Sequence, residues 1–400
     1  MTRPRRLTIA LAATGGLLTG VVATLALTGP TDPAGSTPEP ATTTTTSTPA
    51  DAVPADRSSE TSTALLARIS GGLPDGFADD VAALAFVEDS TAVLGDQTDM
   101  TRSTRSDGTV IDTPADTWAI PLDTIAIDPA TYPPFAQDAD RTTIQQLQPG
   151  QAILTQSSLD LRKLDVGSTI ELRTGTVEIA GVIDDVSGAG AELIVNREDA
   201  DRLHVATPRY VLIHYTTGQR SPTTDAIADL APGSSIRFRS PTETTWLRHG
   251  DAVTPQVFVK GAYGEFAYRD LPGRDIEIDP TWIETNITVA DVPVLGKVRC
   301  HRAAIAPLTT ALQSLADENL AHLVDPSGFA GCWSPRRIDA RQPLSRHAWG
   351  IATDLNITDN PRGSFSSQDP RLVEAMRNAG FTWGGLWLVP DPGHYELVPD

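Results

Sequence analysis

The chain has 400 residues, 40% of them hydrophobic, enough for packed cores in two or three domains. Its formal net charge of -20, from 51 acidic against 31 basic residues, argues against nucleic acid as a partner, because phosphate binding needs a basic face. Only two cysteines occur, Cys300 and Cys332, and they form no C-x-x-C pair of the kind that binds structural zinc.

Residues 1–6 are a basic n-region, and Leu7–Leu27 follow as 21 residues without a charge. A helix of that length crosses a hydrocarbon core of about 30 Å, with the arginines left on the cytoplasmic side. Residues 1–28 therefore read as a single-pass membrane anchor, with a cleaved signal peptide as the alternative. Either way the rest of the chain lies outside the cytoplasm, where Cys300 and Cys332 are expected to form a disulfide. Residues 29–62 contain an unbroken threonine run from 42 to 46 and no aromatic residue. Such a stretch cannot bury enough surface to offset its ordering entropy, so it reads as an extended tether.

From residue 63 to 248 the pattern is β-rich. Leu65–Leu73 read as a brief helix, Val81–Val87 and Thr91–Leu94 as strands, and Asp107-Gly108 as a turn. Ser157–Lys163 read as a short helix, followed by strands at Thr169–Arg173, Thr176–Ile183, Leu193–Val195 and Tyr210–Tyr215. The run "ILTQSSLDLRKLDVGSTIELRTGTVEIAGVIDD…GAELIV" resembles the MacB-type extracytoplasmic domain of FtsX-like ABC permeases. That resemblance implies a non-catalytic domain that contacts an envelope protein partner; it implies no transport, since the permease's membrane helices are lacking. His204 and His214 are lone histidines and receive no role.

Residues 249–400 read as a second domain, giving an α+β protein overall. The aromatic residues Phe258, Tyr263, Phe266 and Tyr268 are expected in packing, and Val292–Val298 as one strand before Cys300. Ala304–Leu323 has apolar residues at helical spacing. Asp369-Pro370 supplies an N-cap and a proline at N1 for a second helix, which Gly380 ends. Phe381–Leu388 and His394–Val398 read as the last strands.

The chemistry concentrates here. His347 and Asp354 are separated by small residues, and Asp391 and His394 follow about forty residues later. Two imidazoles and one of the carboxylates make a three-ligand set for a catalytic zinc, Zn2+, that keeps its fourth position for water. The other carboxylate is then available as general base. His249, His301 and His322 have no acidic partner at useful spacing.

The arrangement S-x-H-x-x-G-x-A-x-D from Ser345 to Asp354, then W-G-G-x-W from Trp383 to Trp387, then D-x-x-H-[FY]-E from Asp391 to Glu396, resembles the VanY-type D-alanyl-D-alanine carboxypeptidases. The resemblance implies a zinc peptidase that trims the peptidoglycan stem peptide, an L-Ala-D-Glu endopeptidase being the alternative within the same fold. A non-catalytic envelope module is the alternative outside it. Carried over position by position, it makes His347, Asp354 and His394 the metal ligands and Asp391 the base. It offers Arg336, in C-[YW]-x-P-R, for a substrate carboxylate or the oxyanion, with Arg337 as the competing neighbour. Ser345 caps the turn before His347 or touches substrate. Trp349, Trp383 and Trp387 line core or cleft, with Trp387 the candidate substrate contact. Gly350 and Ala352 allow close packing, and Glu396 braces a ligand.

Overall fold

The computed structural model describes residues 63–240, 254–340 and 343–399. The N-terminal anchor or signal peptide, the tether and the boundary expected at 248/249 lie outside the described residues. Among those described, no helix is long and apolar enough to cross a membrane.

The first part is built on ten strands: β1 (Ala64–Ile69), β2 (Val87–Thr104), β3 (Val110–Asp112), β4 (Ile120–Ile127), β5 (Gln151–Thr155), β6 (Thr169–Leu172), β7 (Gly175–Ile183), β8 (Leu193–Asn196), β9 (Pro208–Tyr215) and β10 (Ile236–Arg239). Their order is β10-β1-β9-β2-β4-β8-β5-β7-β6, with β3 beside β2. The far end of the long β2, Met100–Thr104, also pairs with β6, so six of the strands close into a ring. β4–β8 and β5–β7 are parallel and the other pairs antiparallel. Helices α1 (Phe77–Ala82), α2 (Arg141–Gln145), α3 (Gln156–Arg162), α4 (Ala200–Leu203) and α5 (Arg220–Asp229) connect them.

Two expectations fail in this part. Leu65–Leu73 is not helical: β1 lies between β9 and β10, and burial on both faces replaces the alternation that marks a strand. Val81–Val87 is not a strand: Phe77 and Val81, one helical turn apart, are the buried residues of α1, and β2 begins only at Val87.

The second part contains α6 (Gln256–Tyr263), β11 (Tyr268–Asp270), β12 (Ile276–Ile278), α7 (Pro280–Asn286), β13 (Ile287–Val292), β14 (Gly296–His301), α8 (Arg302–Asp317), β15 (Ala352–Asp354), α9 (Pro370–Asn378), β16 (Phe381–Trp383) and β17 (His394–Leu397). One apolar core from Val259 to Leu397 unites them. In α8, Ala304, Leu308, Ala311, Leu312 and Leu315 face that core, and the His301 ring accepts the Ala303 N–H at 3.1 Å as its N-cap. α9 starts as its sequence predicts, with Asp369 accepting the Arg371 N–H and Pro370 at N1. Val292–Val298 is a hairpin rather than one strand, turning through Pro293–Leu295 where Val294 has φ 68°. α8 ends at Asp317, six residues before Leu323, and β16 ends at Trp383, where Gly384–Leu386 turn as a 3-10 segment.

A buried ion cluster ties α6 to the large sheet. Lys260 Nζ lies 2.7 Å from Glu192 and 2.9 Å from Glu265, and Arg162 lies 2.7 Å and 2.8 Å from the same carboxylates. Two cations against two carboxylates leave no net charge uncompensated, a condition for tolerating their desolvation.

Candidate active site

β15 and β17 pair antiparallel with Asp354 opposite His394 and Ala352 opposite Glu396. Side chains alternate faces along a strand, and directly paired residues share one. Asp354, His394 and Glu396 therefore project together, while Tyr395 and Trp383, paired across β17 and β16, take the opposite face. His347 arrives separately, on the 3-10 turn Arg346–Ala348. Ser345, itself buried, caps that turn by accepting the His347 N–H at 3.3 Å. Gly350 takes the chain away: its φ is 69°, and a Cβ there would stand 2.6 Å from His301 N.

The three side chains converge. His347 Nε2 is 3.2 Å from Asp354 Oδ2 and 3.3 Å from His394 Nδ1, and His394 Nδ1 is 2.8 Å from Asp354 Oδ1. The outer nitrogens are engaged elsewhere: His347 Nδ1–H donates to the Cys332 carbonyl at 2.9 Å, and His394 Nε2 faces Glu396 Oε1 at 3.2 Å. These partners hold the outer nitrogen of each ring, so that a metal bound inside, in place of the inner protons, would meet one lone pair of each. One donor atom from each residue lies within 4.8 Å of the others. A tetrahedral zinc with bonds near 2.0–2.1 Å separates its ligands by roughly 3.3–3.4 Å, so this donor set fits such an ion.

Electrostatics follow from this packing. Burial would raise the Asp354 carboxyl, but the His347 charge and hydrogen bonds from both rings outweigh it and hold the group far below the usual carboxylate range. Burial would lower the His394 imidazolium, but Asp354 and Glu396 outweigh it and lift the group to about 10.

Asp391 is half-buried beside the cluster. Its N–H donates to Gly384 O at 2.9 Å and its carbonyl accepts the His394 N–H at 3.0 Å. A Cβ on Gly384 would stand 2.6 Å from Asp391 O, so only glycine lets the loop close this tightly. Burial raises the Asp391 carboxyl above its ordinary value; the His394 charge opposes this, and Asp354 adds to it.

The arginines separate clearly. Arg337 is committed: Nε donates to Asp270 Oδ1 at 2.8 Å and Nη2 to the Tyr268 hydroxyl at 2.5 Å. Arg336 is half-buried with no ion pair among the described residues, and burial and the neighbouring Arg274 charge press its guanidinium below the ordinary value against the pull of Asp354 and Asp391. Arg274 sits beside the Asp275–Arg336 bridge, and Arg362 precedes Gly363, whose N–H donates to Pro390 O. Arg274 and Arg362 were missed from sequence, where isolated arginines in loops carry no signal.

Trp387 packs against His394 with ring centroids 5.1 Å apart, and Trp383 Nε1 donates to Pro392 O at 2.8 Å, bracing the Asp391 loop. Trp349 is core, against Phe266. Cys300 of β14 is disulfide-bonded to Cys332, so the carbonyl that orients His347 belongs to a cross-linked residue.

No curated protein matches the chain. Among solved structures it is similar to the periplasmic region of MacB from Actinobacillus actinomycetemcomitans (8% identity, 44% of this chain and 88% of that one, TM-score 0.30). It is also similar to the extracellular domain of the noncanonic ABC-type transporter YknZ from Gram-positive bacteria (10% identity, 44% and 100%, TM-score 0.31). Residues 339–397, which carry His347, Asp354, Asp391 and His394, match the D-alanyl-D-alanine carboxypeptidase family.

Proposed function

We propose that this chain is a zinc-dependent peptidase of the peptidoglycan stem peptide, acting as a D-alanyl-D-alanine carboxypeptidase on the outer side of the membrane. The observation that carries this reading is the convergence of His347, Asp354 and His394 within the segment that matches that family. Those three residues would hold zinc, which when bound supplies Lewis-acid activation of water and of the scissile carbonyl. Asp391, lifted by burial towards a working base, accepts the proton of the attacking water and returns it to the leaving amine. Arg336, half-buried and without an ion pair among the described residues, meets the developing oxyanion or the substrate's terminal carboxylate. Arg274 and Arg362 add positive charge beside it in a chain that is otherwise strongly acidic. Trp387 forms a wall.

Three guanidinium groups exceed what one terminal carboxylate requires. That favours, as a second reading, cleavage within the stem beside an acidic residue, the L-Ala-D-Glu endopeptidase alternative. Residues 63–248 would form the domain that contacts an envelope protein, and 249–400 the peptidase, held by the N-terminal segment as a single-pass anchor.

Metal analysis of the full chain should find about one zinc per chain. Incubation with stem peptides ending in D-Ala-D-Ala, and with shortened stems, should release D-Ala from the first set only. A chain without zinc, or zinc without any peptide product, would overturn the proposal; products cut within the stem would replace the carboxypeptidase by the endopeptidase.

A further inference from the structure

Residues 336–338 and 343–345 run as two bridged antiparallel arms. Arg337 pairs with Leu344, Ile338 N–H donates to Pro343 O at 3.0 Å, and Ser345 N–H donates to Arg336 O at 3.0 Å. One arm presents Arg336 and the other runs through Ser345 into His347. The Arg336 arm is bridged to Asp275, with Arg337 N–H donating to Arg274 O at 2.8 Å, and reaches the first part through Tyr268; the Leu344 arm bonds the first part directly.

Gln97 and Asp99 lie two residues apart on β2 and so on one face of the strand. Gln97 Oε1 accepts the N–H of Leu344 at 2.9 Å, a bond spanning 247 positions of sequence. Gln97 Nε2 donates to the Tyr268 hydroxyl at 2.9 Å, and that hydroxyl donates to Asp99 Oδ1 at 2.6 Å. Arg337 fills the hydroxyl's remaining position, so the Tyr268 oxygen gives one bond and accepts two, its full capacity. Tyr268 is fully buried, and its backbone exchanges two hydrogen bonds of 2.8 Å with Ala119 ahead of β4. Tyr268 and Leu344 are buried and Gln97, Asp99 and Arg337 half-buried, so losing the bonds at the Tyr268 hydroxyl or the Leu344 N–H leaves a polar group of a buried residue without its partner.

We infer that Gln97 and Asp99 are positioning residues for the zinc site: through Leu344 and Tyr268 they hold the arms at 336–338 and 343–345 and so set Arg336 and His347. The kinetic half of this inference rests on the peptidase reading above; the metal-binding half requires only that the three ligands take zinc. The first part of the chain then serves the site directly, independently of any partner it contacts.

The test uses the full chain with zinc, in four forms: wild type, Gln97→Ala, Arg336→Ala and the double variant. Gln97→Ala should lower kcat on the stem peptide about ten- to a hundredfold, the scale of a roughly 1 Å misplacement, and raise the zinc Kd in a chelator competition several-fold. In the Arg336→Ala background the same change should lower kcat clearly less than in wild type, because one of the two groups it positions is gone, while the rise in zinc Kd through His347 should remain. Gln97→Glu keeps the acceptor for Leu344 and should recover most of the zinc affinity. Full additivity in the double variant, or a folded Gln97→Ala with kcat and Kd within about twofold of wild type, overturns the inference. If wild type releases no product, the peptidase reading fails and the zinc Kd alone decides. Should Gln97→Ala not fold, Gln97→Met fills the same space and is read by the same measurements.

Discussion

Replacing Glu396 by glutamine keeps the side chain's size and removes its charge. Glu396 is buried, and its Oε1 lies 3.2 Å from His394 Nε2. A carboxylate in that position holds the outer N–H of a metal-binding imidazole and makes the inner nitrogen more basic; its loss typically costs ten- to a hundredfold in metal affinity, about 1.4–2.7 kcal/mol. A second effect opposes the first. In the metal-free protein Glu396 helps lift the His394 imidazolium to about 10, so below that pH zinc has to displace a proton. Glu396→Gln weakens the proton's hold as well as the metal's. The variant's loss of zinc affinity should therefore be largest near pH 9 and shrink towards pH 6.5, where proton competition against wild type is strongest. Chelator competition at pH 6.5, 7.5 and 9 measures this. A wild-type to variant affinity ratio that is flat, or that falls as pH rises, would refute the account of how Glu396 acts on His394.

Other expectations are direct. Asp391→Ala should retain zinc but lose about two to four orders of magnitude in kcat, whereas His347→Ala should lose metal and turnover together; steady-state kinetics with metal analysis separates the two. In the zinc-stripped protein the His394 imidazolium has a raised folded pKa, so its contribution is full below the unfolded value near 6.5 and is lost as pH rises through about 10. Thermal unfolding of that form should show a Tm that falls across this window. Reducing Cys300–Cys332, which closes a loop of about 33 residues, should cost roughly 3–4 kcal/mol in denaturant unfolding and weaken zinc binding through the Cys332 carbonyl. Lys260→Met leaves two carboxylates against one buried guanidinium and should destabilise by about 3–5 kcal/mol; an unchanged midpoint would mean that the cluster contributes nothing net.

Local chemistry was legible in the residue order. Asp369-Pro370 announces its helix because a cap and a restricted φ act within one turn, and Ser345 announces the turn before His347 for the same reason. That His347, Asp354 and His394 belong together was legible because two short motifs, one with a histidine and an aspartate seven apart and one with them three apart, carry them. Burial on both faces erased the pattern of β1, and the four-residue spacing of Phe77 and Val81 in α1 fits strand alternation as well as a helical turn.

What the residue order by itself determined is the inventory at the centre: two histidines, two aspartates, a capping serine and the glycines that let the backbone approach. Tertiary structure decided how that inventory is used. The β15–β17 register places Asp354 opposite His394, and of the two adjacent arginines Arg337 is bonded to Asp270 and Tyr268 while Arg336 has no ion pair among the described residues. Gln97 meets Leu344 only because β2 folds against the 343–345 arm. Capping and turn chemistry act between neighbours in the chain, whereas registers, ion pairs and bonds across 247 positions exist only once the core has closed.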